Sequence, residues 1–200
     1  MPSQFKEQKG YFTFAQNGDV DYLELAYLQA LSIKVTQGIN SYAVAVDEKT
    51  EALVTDKHRK VFDYVLRIPG KDEAEDDSWK LANEWKVWRM TPFKETVKLD
   101  SDILFSRNID HWWHIMQQKD VCCANRVRSY ESKVSNDMTY RKLFVQNNLP
   151  NVYSGFTYFR YTQTSMEFFS LVKDIYHNWP MFRDEVLTKC VNEKPHTDEV

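Results

Sequence analysis

Asp100 and Asp102 stand one residue apart, directly after the run Thr96-Val97-Lys98-Leu99. At a strand terminus two carboxylates with that spacing can face the same side, because side chains alternate along a strand. Carboxylate oxygens are the natural ligands of hard divalent cations, and a diphosphate brings further oxygens to complete the coordination shell. A cation held in this way neutralises charge on a leaving phosphate as a Lewis acid. Asp-x-Asp alone is a common tripeptide, most often exposed or capping. Here it follows an apolar strand and precedes Ile103-Leu104-Phe105. Two charges are therefore expected between buried segments, where they are costly without a cation or hydrogen-bond partners.

Other residue types invite chemistry and mostly have plainer readings. His111 and His114 are three apart beside Asp110, but such spacing is common and binds metal only where nothing else fills that face. Trp79, Trp85, Trp88, Trp112 and Trp113 are dense enough for a sugar-stacking platform. At helical spacing such aromatics are more often core. The chain has five glycines and no Gly-x-Gly-x-x-Gly spacing, which argues against a dinucleotide fold or a phosphate-binding loop of the ATPase kind.

These residues need elements to position them. Gly10 to Ala15 reads as a first strand ending in the turn cluster Gln16-Asn17-Gly18-Asp19, and Leu23 to Ile33 recurs with helical spacing behind a cap at Asp19 or Asp21. Tyr42 to Val46 is an apolar run that stops at Asp47, as a strand covered on both faces does. A short helix between about 50 and 60, a strand from Phe62 to Ile68, a helix from Trp79 to Met90 and a strand from Thr96 to Leu99 come next. Beyond them are predicted a helix from Ile109 to Gln118, strands at Asp120 to Ala124 and Phe156 to Arg160, and a helix from Thr162 to about His177. Strands alternating with helices predict an α/β fold with an open, mostly parallel sheet, whose ligands bind outside the carboxyl ends of the strands. Gln16, Asn17, Asp47, Asp100 and Asp102 are the polar residues at those ends.

Length and composition fit one domain: 200 residues, 42 % of them hydrophobic. A net charge of −3 and a pI near 6.0 give no global basic field, so nucleic acid is a minority choice of partner that stays open. Three cysteines, two of them adjacent, do not make a disulfide framework, and a reducing, cytoplasmic setting is expected. The N-terminus is polar, and no apolar run approaches the roughly 20 residues that span a bilayer, so no membrane segment is expected.

In their order these segments resemble the GT-A glycosyltransferases, and among them the glycogenin and lipopolysaccharide galactosyltransferase group, family 8. Phe14-Ala15-Gln16-Asn17-Gly18 through Ile33 is similar to the family's opening strand and helix. Asp47 stands where the family's second strand ends in a base-contacting acid. Val97 to Phe105 with Asn108-Ile109-Asp110 is similar to the family's metal-binding strand and the helix after it. Asn151-Val152-Tyr153-Ser154-Gly155-Phe156 is similar to the strand beneath the donor sugar, with Asn151 displaced from Ser154-Gly155.

The resemblance implies a GT-A, Rossmann-like nucleotide-diphospho-sugar transferase fold in a single domain over 1–200. Residues 10–102 would form the nucleotide-sugar-binding half, and 103–200 a donor-sugar and acceptor half. It implies glycosyl transfer from a nucleoside-diphosphate sugar, commonly a UDP-sugar, with Mn2+ or Mg2+ held by Asp100 and Asp102, and it favours retention of anomeric configuration. The acceptor is open among glycan, protein and other hydroxyls. Ala15, Gln16, Asn17, Asp47, Ser154 and Gly155 are expected at the nucleotide sugar. Either Lys80 or Lys86, from the helix before the metal strand, is expected to reach the diphosphate as a point charge. The family's third metal ligand, a late histidine, has His196 as its candidate here. Asp198 and Glu199 could supply a base for an acceptor hydroxyl, although a terminal acidic pair is commonly just solvated. The polar ending Pro195 to Val200 suggests a minimal or truncated catalytic domain.

Two other functions share this fold class. A sugar nucleotidyltransferase needs a glycine-rich basic loop near the N-terminus, and Gln16-Asn17-Gly18-Asp19 lacks that basic character. A catalytically silent binding protein on the same fold is the second, against which the intact Asp100 and Asp102 argue.

Overall fold

The structure, a computed structural model, describes residues 5–70, 80–125, 127–128, 147–150 and 152–187. Its strands are β1 (Glu7–Ala15), β2 (Tyr42–Val46), β3 (Tyr64–Arg67), β4 (Phe93–Leu99), β5 (Val121–Asn125) and β6 (Val152–Arg160). Its helices are α1 (Tyr22–Thr36), α2 (Glu48–Glu51), α3 (Asp56–Arg59), α4 (Val87–Met90), α5 (Trp112–Met116), α6 (Gln163–His177) and α7 (Trp179–Glu185), with a 3-10 helix at Lys80–Lys86 before α4. The strands form one sheet in the order β3-β2-β1-β4-β6-β5. The first four pair in parallel, whereas β6 runs antiparallel to both β4 and β5.

Alternation of side chains sorts the sheet's core onto its two faces. Tyr11, Val44, Val46, Val97, Leu99 and Tyr158 pack with Leu23, Ala26, Ala30 and Ile33 of α1 and with Trp113 and Met116 of α5. Phe12, Ala43, Ala45, Phe93 and Phe159 pack on the other side with Val87 of α4 and Phe169 of α6. All five residues of β2 are buried, which is why that segment reads as an unbroken apolar run rather than an alternating one. The order β2-β1-β4 puts a switch point between β1 and β4, and the ends of those strands are where a ligand crevice forms.

Most predicted elements are present, with shifted bounds. Strand β4 starts at Phe93, because Pro92 lacks a donor but leaves the next residue free to pair with Glu7 of β1. The third strand is shorter than predicted, Asp63 being spent on the Tyr42 backbone N–H at 2.7 Å and the Lys34 ammonium at 2.5 Å. The helix predicted from Trp79 to Met90 is instead a 3-10 helix followed by one α turn. Asp21, not Asp19, caps α1 through the N–H of Glu24 at 3.0 Å. Helix α7 has no counterpart in the predicted elements. No helix among the described residues is long and apolar enough to cross a membrane.

Candidate active site

The carboxyl ends of β1, β2 and β4 lie side by side, and β6 brings its own middle against the end of β4. Ala15 pairs with Val46, so Gln16 and Asp47 leave their strands together. Gln16 donates to Asp47 Oδ2 at 3.5 Å and accepts from Asn83 of the 3-10 helix at 3.4 Å. Asp47 Oδ1 takes the N–H of Thr50 at 2.8 Å, capping α2. Asn17 donates its backbone N–H to Thr50 Oγ1 at 2.8 Å, and its side chain bridges Asp21 and the N–H of Leu23. Gln16, Asn17 and Asp47, expected at the nucleotide sugar, are therefore in one place, and Asp47 and Asn17 also hold the starts of α2 and α1.

At the end of β4 the chain turns through Asp100, Ser101 and Asp102. The N–H of Asp100 donates to the carbonyl of Gly155 on β6 at 3.0 Å. A Cβ on Gly155 would meet Asp100 Oδ2 at 2.6 Å, so glycine alone allows the carboxylate to lie on that strand. From the opposite face, the buried Gln29 of α1 donates its amide to the carbonyls of Asp100 at 2.6 Å and Ile103 at 2.9 Å, while its oxygen accepts from Tyr42 Oη at 2.8 Å. Lys98 shares a face of β4 with Asp100, and its Nζ lies 3.4 Å from Asp100 Oδ1 and 3.5 Å from the carbonyl of Ser154. It is also ion-paired with Glu84 of the 3-10 helix.

The setting of the carboxylate pair differs from expectation. Asp102 is exposed, Asp100 is 45 % exposed, and Leu104 after them is 63 % exposed. The buried member of the turn is Ser101. The segments on either side do pack into the core, through Leu99 before the turn and Ile103 and Phe105 after it, but the pair itself opens to solvent, and its accessibility suits a ligand that arrives from there. The donor set fits a hard divalent cation, since both groups offer carboxylate oxygens at one turn. No cluster of three or more His, Cys, Asp or Glu side chains that could hold a metal exists among the described residues. Among the described residues the turn thus offers two carboxylates and no third protein ligand of these types beside them.

The lysines are rearranged. Lys86 is buried and donates to the carbonyl of Pro69 at 3.0 Å, which ties it to the end of β3, whereas the lysine beside Asp100 is Lys98. The side chain of Lys80 lies outside the described residues, as do Asn151, His196, Asp198 and Glu199. Asp110 is occupied by Asn108 and by the N–H groups of Gly38 and Ile39. Burial works against its charge, but those three donors prevail and hold its carboxyl below the usual range. His111 and His114 are exposed, with no metal cluster around them among the described residues. Of the tryptophans, Trp113 is core, Trp85 and Trp88 are half-buried, and Trp112 is 43 % exposed beside Phe156; Trp79 lies outside the described residues.

Sequence reasoning passed over Gln29, Asn83, Glu84 and Lys98. One signal was available: a lysine two residues before Asp100 in an otherwise apolar inner strand must have a partner on its own face. Nothing local marks Gln29, one polar residue in a helix whose apolar side chains lie nearly all round it.

No protein-family profile matches this chain, and no curated protein does. Solved structures do. The apo form of mouse xyloside xylosyltransferase 1 superposes with a TM-score of 0.54 at 10 % identity, over 90 % of this chain and 76 % of that one. The galactosyltransferase LgtC, in complex with donor and acceptor sugar analogs, gives 0.56 at 10 % identity, over 88 % and 66 %. The bifunctional glycosyltransferase WbbM, also apo, gives 0.53 at 11 % identity, over 84 % of this chain and 35 % of that one. The chain thus spans about three quarters, two thirds and one third of these proteins. Together with the strand order and the turn at Asp100 to Asp102, these superpositions show that the chain has the GT-A glycosyltransferase fold.

Proposed function

We propose that this chain is a glycosyltransferase that takes its sugar from a nucleoside diphosphate, a UDP-sugar above all, and passes it to a hydroxyl of a glycan, a protein or another acceptor. The observation that carries this reading is the convergence of Gln16, Asp47 and Asp100 at adjoining strand ends of a GT-A sheet, with Gly155 of the neighbouring β6 against Asp100. Asp100 and Asp102 would hold Mn2+ or Mg2+. Once bound, the cation supplies Lewis-acid stabilisation for the charge that develops on the leaving nucleoside diphosphate. Gln16, Asn17 and Asp47 border the base, and Ser154 and Gly155 lie under the donor sugar. Lys80 and His196 keep the roles the family resemblance gives them, a diphosphate contact and a third metal ligand, and Asp198 or Glu199 would supply a base for the acceptor hydroxyl.

The test is a thermal-shift series with nucleoside diphosphates and their sugars, with and without Mn2+, since a ligand of the native state raises the melting temperature. UDP and Mn2+ together are expected to raise it by more than the sum of their separate shifts. Absence of a shift with every nucleoside diphosphate would remove this reading. Release of free sugar from a UDP-sugar, monitored in the same samples, separates an enzyme from a silent binder.

A further inference from the structure

Lys98 is out of place by packing criteria. It lies in β4, flanked by β1 and β6, with a side chain 4 % exposed. Its neighbours on that face of the strand include buried Thr96 and Thr157 and the aromatic ring of Phe159, a setting that a methionine would fill without burying a charge. An ammonium there is tolerated only through its partners. Those partners include the Glu84 carboxylate from the 3-10 helix, the Ser154 carbonyl from β6, and Asp100 Oδ1 from the turn after β4. One cation thus sits behind the carboxylate that the proposed function assigns to a metal.

We propose that Lys98 is a positioning residue that keeps Asp100 from capturing a divalent cation by itself, so that cation and nucleoside diphosphate are bound together. The inference rests on the glycosyltransferase reading of the Asp100 and Asp102 turn. Two effects act in the same direction. The ammonium draws on Oδ1 and weakens it as a ligand, while Oδ2 lies against Gly155. A dication at Asp100 also meets an ammonium a few ångströms behind it, whose repulsion the paired Glu84 carboxylate reduces without supplying the cation a ligand. A diphosphate carries the negative charge that reverses this balance. The coupling between the two ligands is then set by Lys98, and by linkage it works equally in either order of binding.

The experiment uses the full chain and Mn2+ alone, titrated by the loss of the free-Mn2+ electron paramagnetic resonance signal, and then repeated with UDP. Lys98→Met is expected to bind Mn2+ alone at least about tenfold more tightly than the wild type. The enhancement of Mn2+ binding by UDP should shrink by the same factor. A variant damaged only in its fold would bind Mn2+ more weakly, so the direction of the change separates positioning from structure. Because Lys98→Met leaves Glu84 buried without the ammonium that offsets its charge, the double variant Lys98→Met with Glu84→Gln is measured beside it. It should recover most of the melting temperature and still bind Mn2+ alone more tightly than the wild type, by a smaller factor. A folded double variant whose affinity for Mn2+ alone equals or falls below that of the wild type overturns the proposal. If the wild type binds Mn2+ and UDP together but the variants leave Mn2+ binding unchanged, only this proposal falls. If the wild type shows no Mn2+-dependent UDP binding, the glycosyltransferase reading falls and the proposal with it.

Discussion

The amide nitrogen of Gln29 lies 2.6 Å from the carbonyl oxygen of Asp100. It reaches the carbonyl of Ile103 as well, at 2.9 Å. A helix on one face of the sheet therefore fixes both ends of the turn whose carboxylates open on the strand ends. Replacing Gln29 with leucine keeps the volume and leaves two carbonyls without that donor. A loss of about 3 kcal/mol in urea unfolding is expected, with roughly a 10- to 100-fold drop in Mn2+-dependent UDP affinity, as for residues that orient metal ligands. Gln29→Glu, which keeps the acceptor for Tyr42 Oη but turns an oxygen toward the carbonyls, should be no better. Unchanged affinity in both variants would show that the turn holds its shape without α1.

Gly155 and Asp100 make the second test. No left-handed backbone is involved at Gly155, so Gly155→Ala acts only through the contact its Cβ would make with Asp100 Oδ2 at 2.6 Å. The carboxylate or the strand has to move. Mn2+-dependent UDP affinity should fall roughly 10- to 100-fold, while β6 still pairs with β4 and thermal stability changes by about 1 kcal/mol. Equal affinity in the two proteins would mean that the carboxylate at Gly155 is not the one that serves the ligand.

Asp102 is exposed, and Asp102→Asn removes its charge with little change of shape. Stability without metal should stay within about 0.5 kcal/mol of the wild type. Mn2+-dependent UDP affinity and hydrolysis of the donor sugar should both fall by roughly tenfold or more. A loss of metal-free stability with intact UDP affinity would instead make Asp102 a capping residue, and the metal assignment would lose half its ligands.

The cap on α1 makes stability depend on pH. The backbone N–H of Glu24, and then the Asn17 side chain, hold the Asp21 carboxyl below its usual value. A lowered folded value means stability that is present above the unfolded pKa and lost as pH falls through the folded one. At pH 7, Asp21→Ala should cost about 1 kcal/mol. The difference between the two proteins should close as the solution is acidified below about pH 4. A gap that persists undiminished at pH 2 would show that the cap works through shape and not through charge.

The sequence by itself determined the alternation of strands and helices, because period-2 and period-3.6 patterns are local properties of the chain. It also placed Asp100 and Asp102 at the end of a strand and Gln16 and Asp47 at the ends of two others. Some predicted bounds moved where a partner from elsewhere in the chain intervened, as Tyr42 and Lys34 do at Asp63. The 3-10 helix carries Asn83 and Glu84 to Gln16 and Lys98, partners 67 and 14 residues away, and a helical or strand period pairs neither.

Only the tertiary structure decided that β6 enters antiparallel beside β4, and with it that Gly155 lies against Asp100. The same fold decided which lysine stands at the carboxylate. Lys86, on a predicted helix, was a candidate for the diphosphate and is held at Pro69, whereas Lys98, to which the sequence assigned no role, lies between two acids from different segments. Charges and buried amides acquire their meaning from partners brought together by strand order, and strand order is a property of non-local pairing that the sequence of any one segment does not carry.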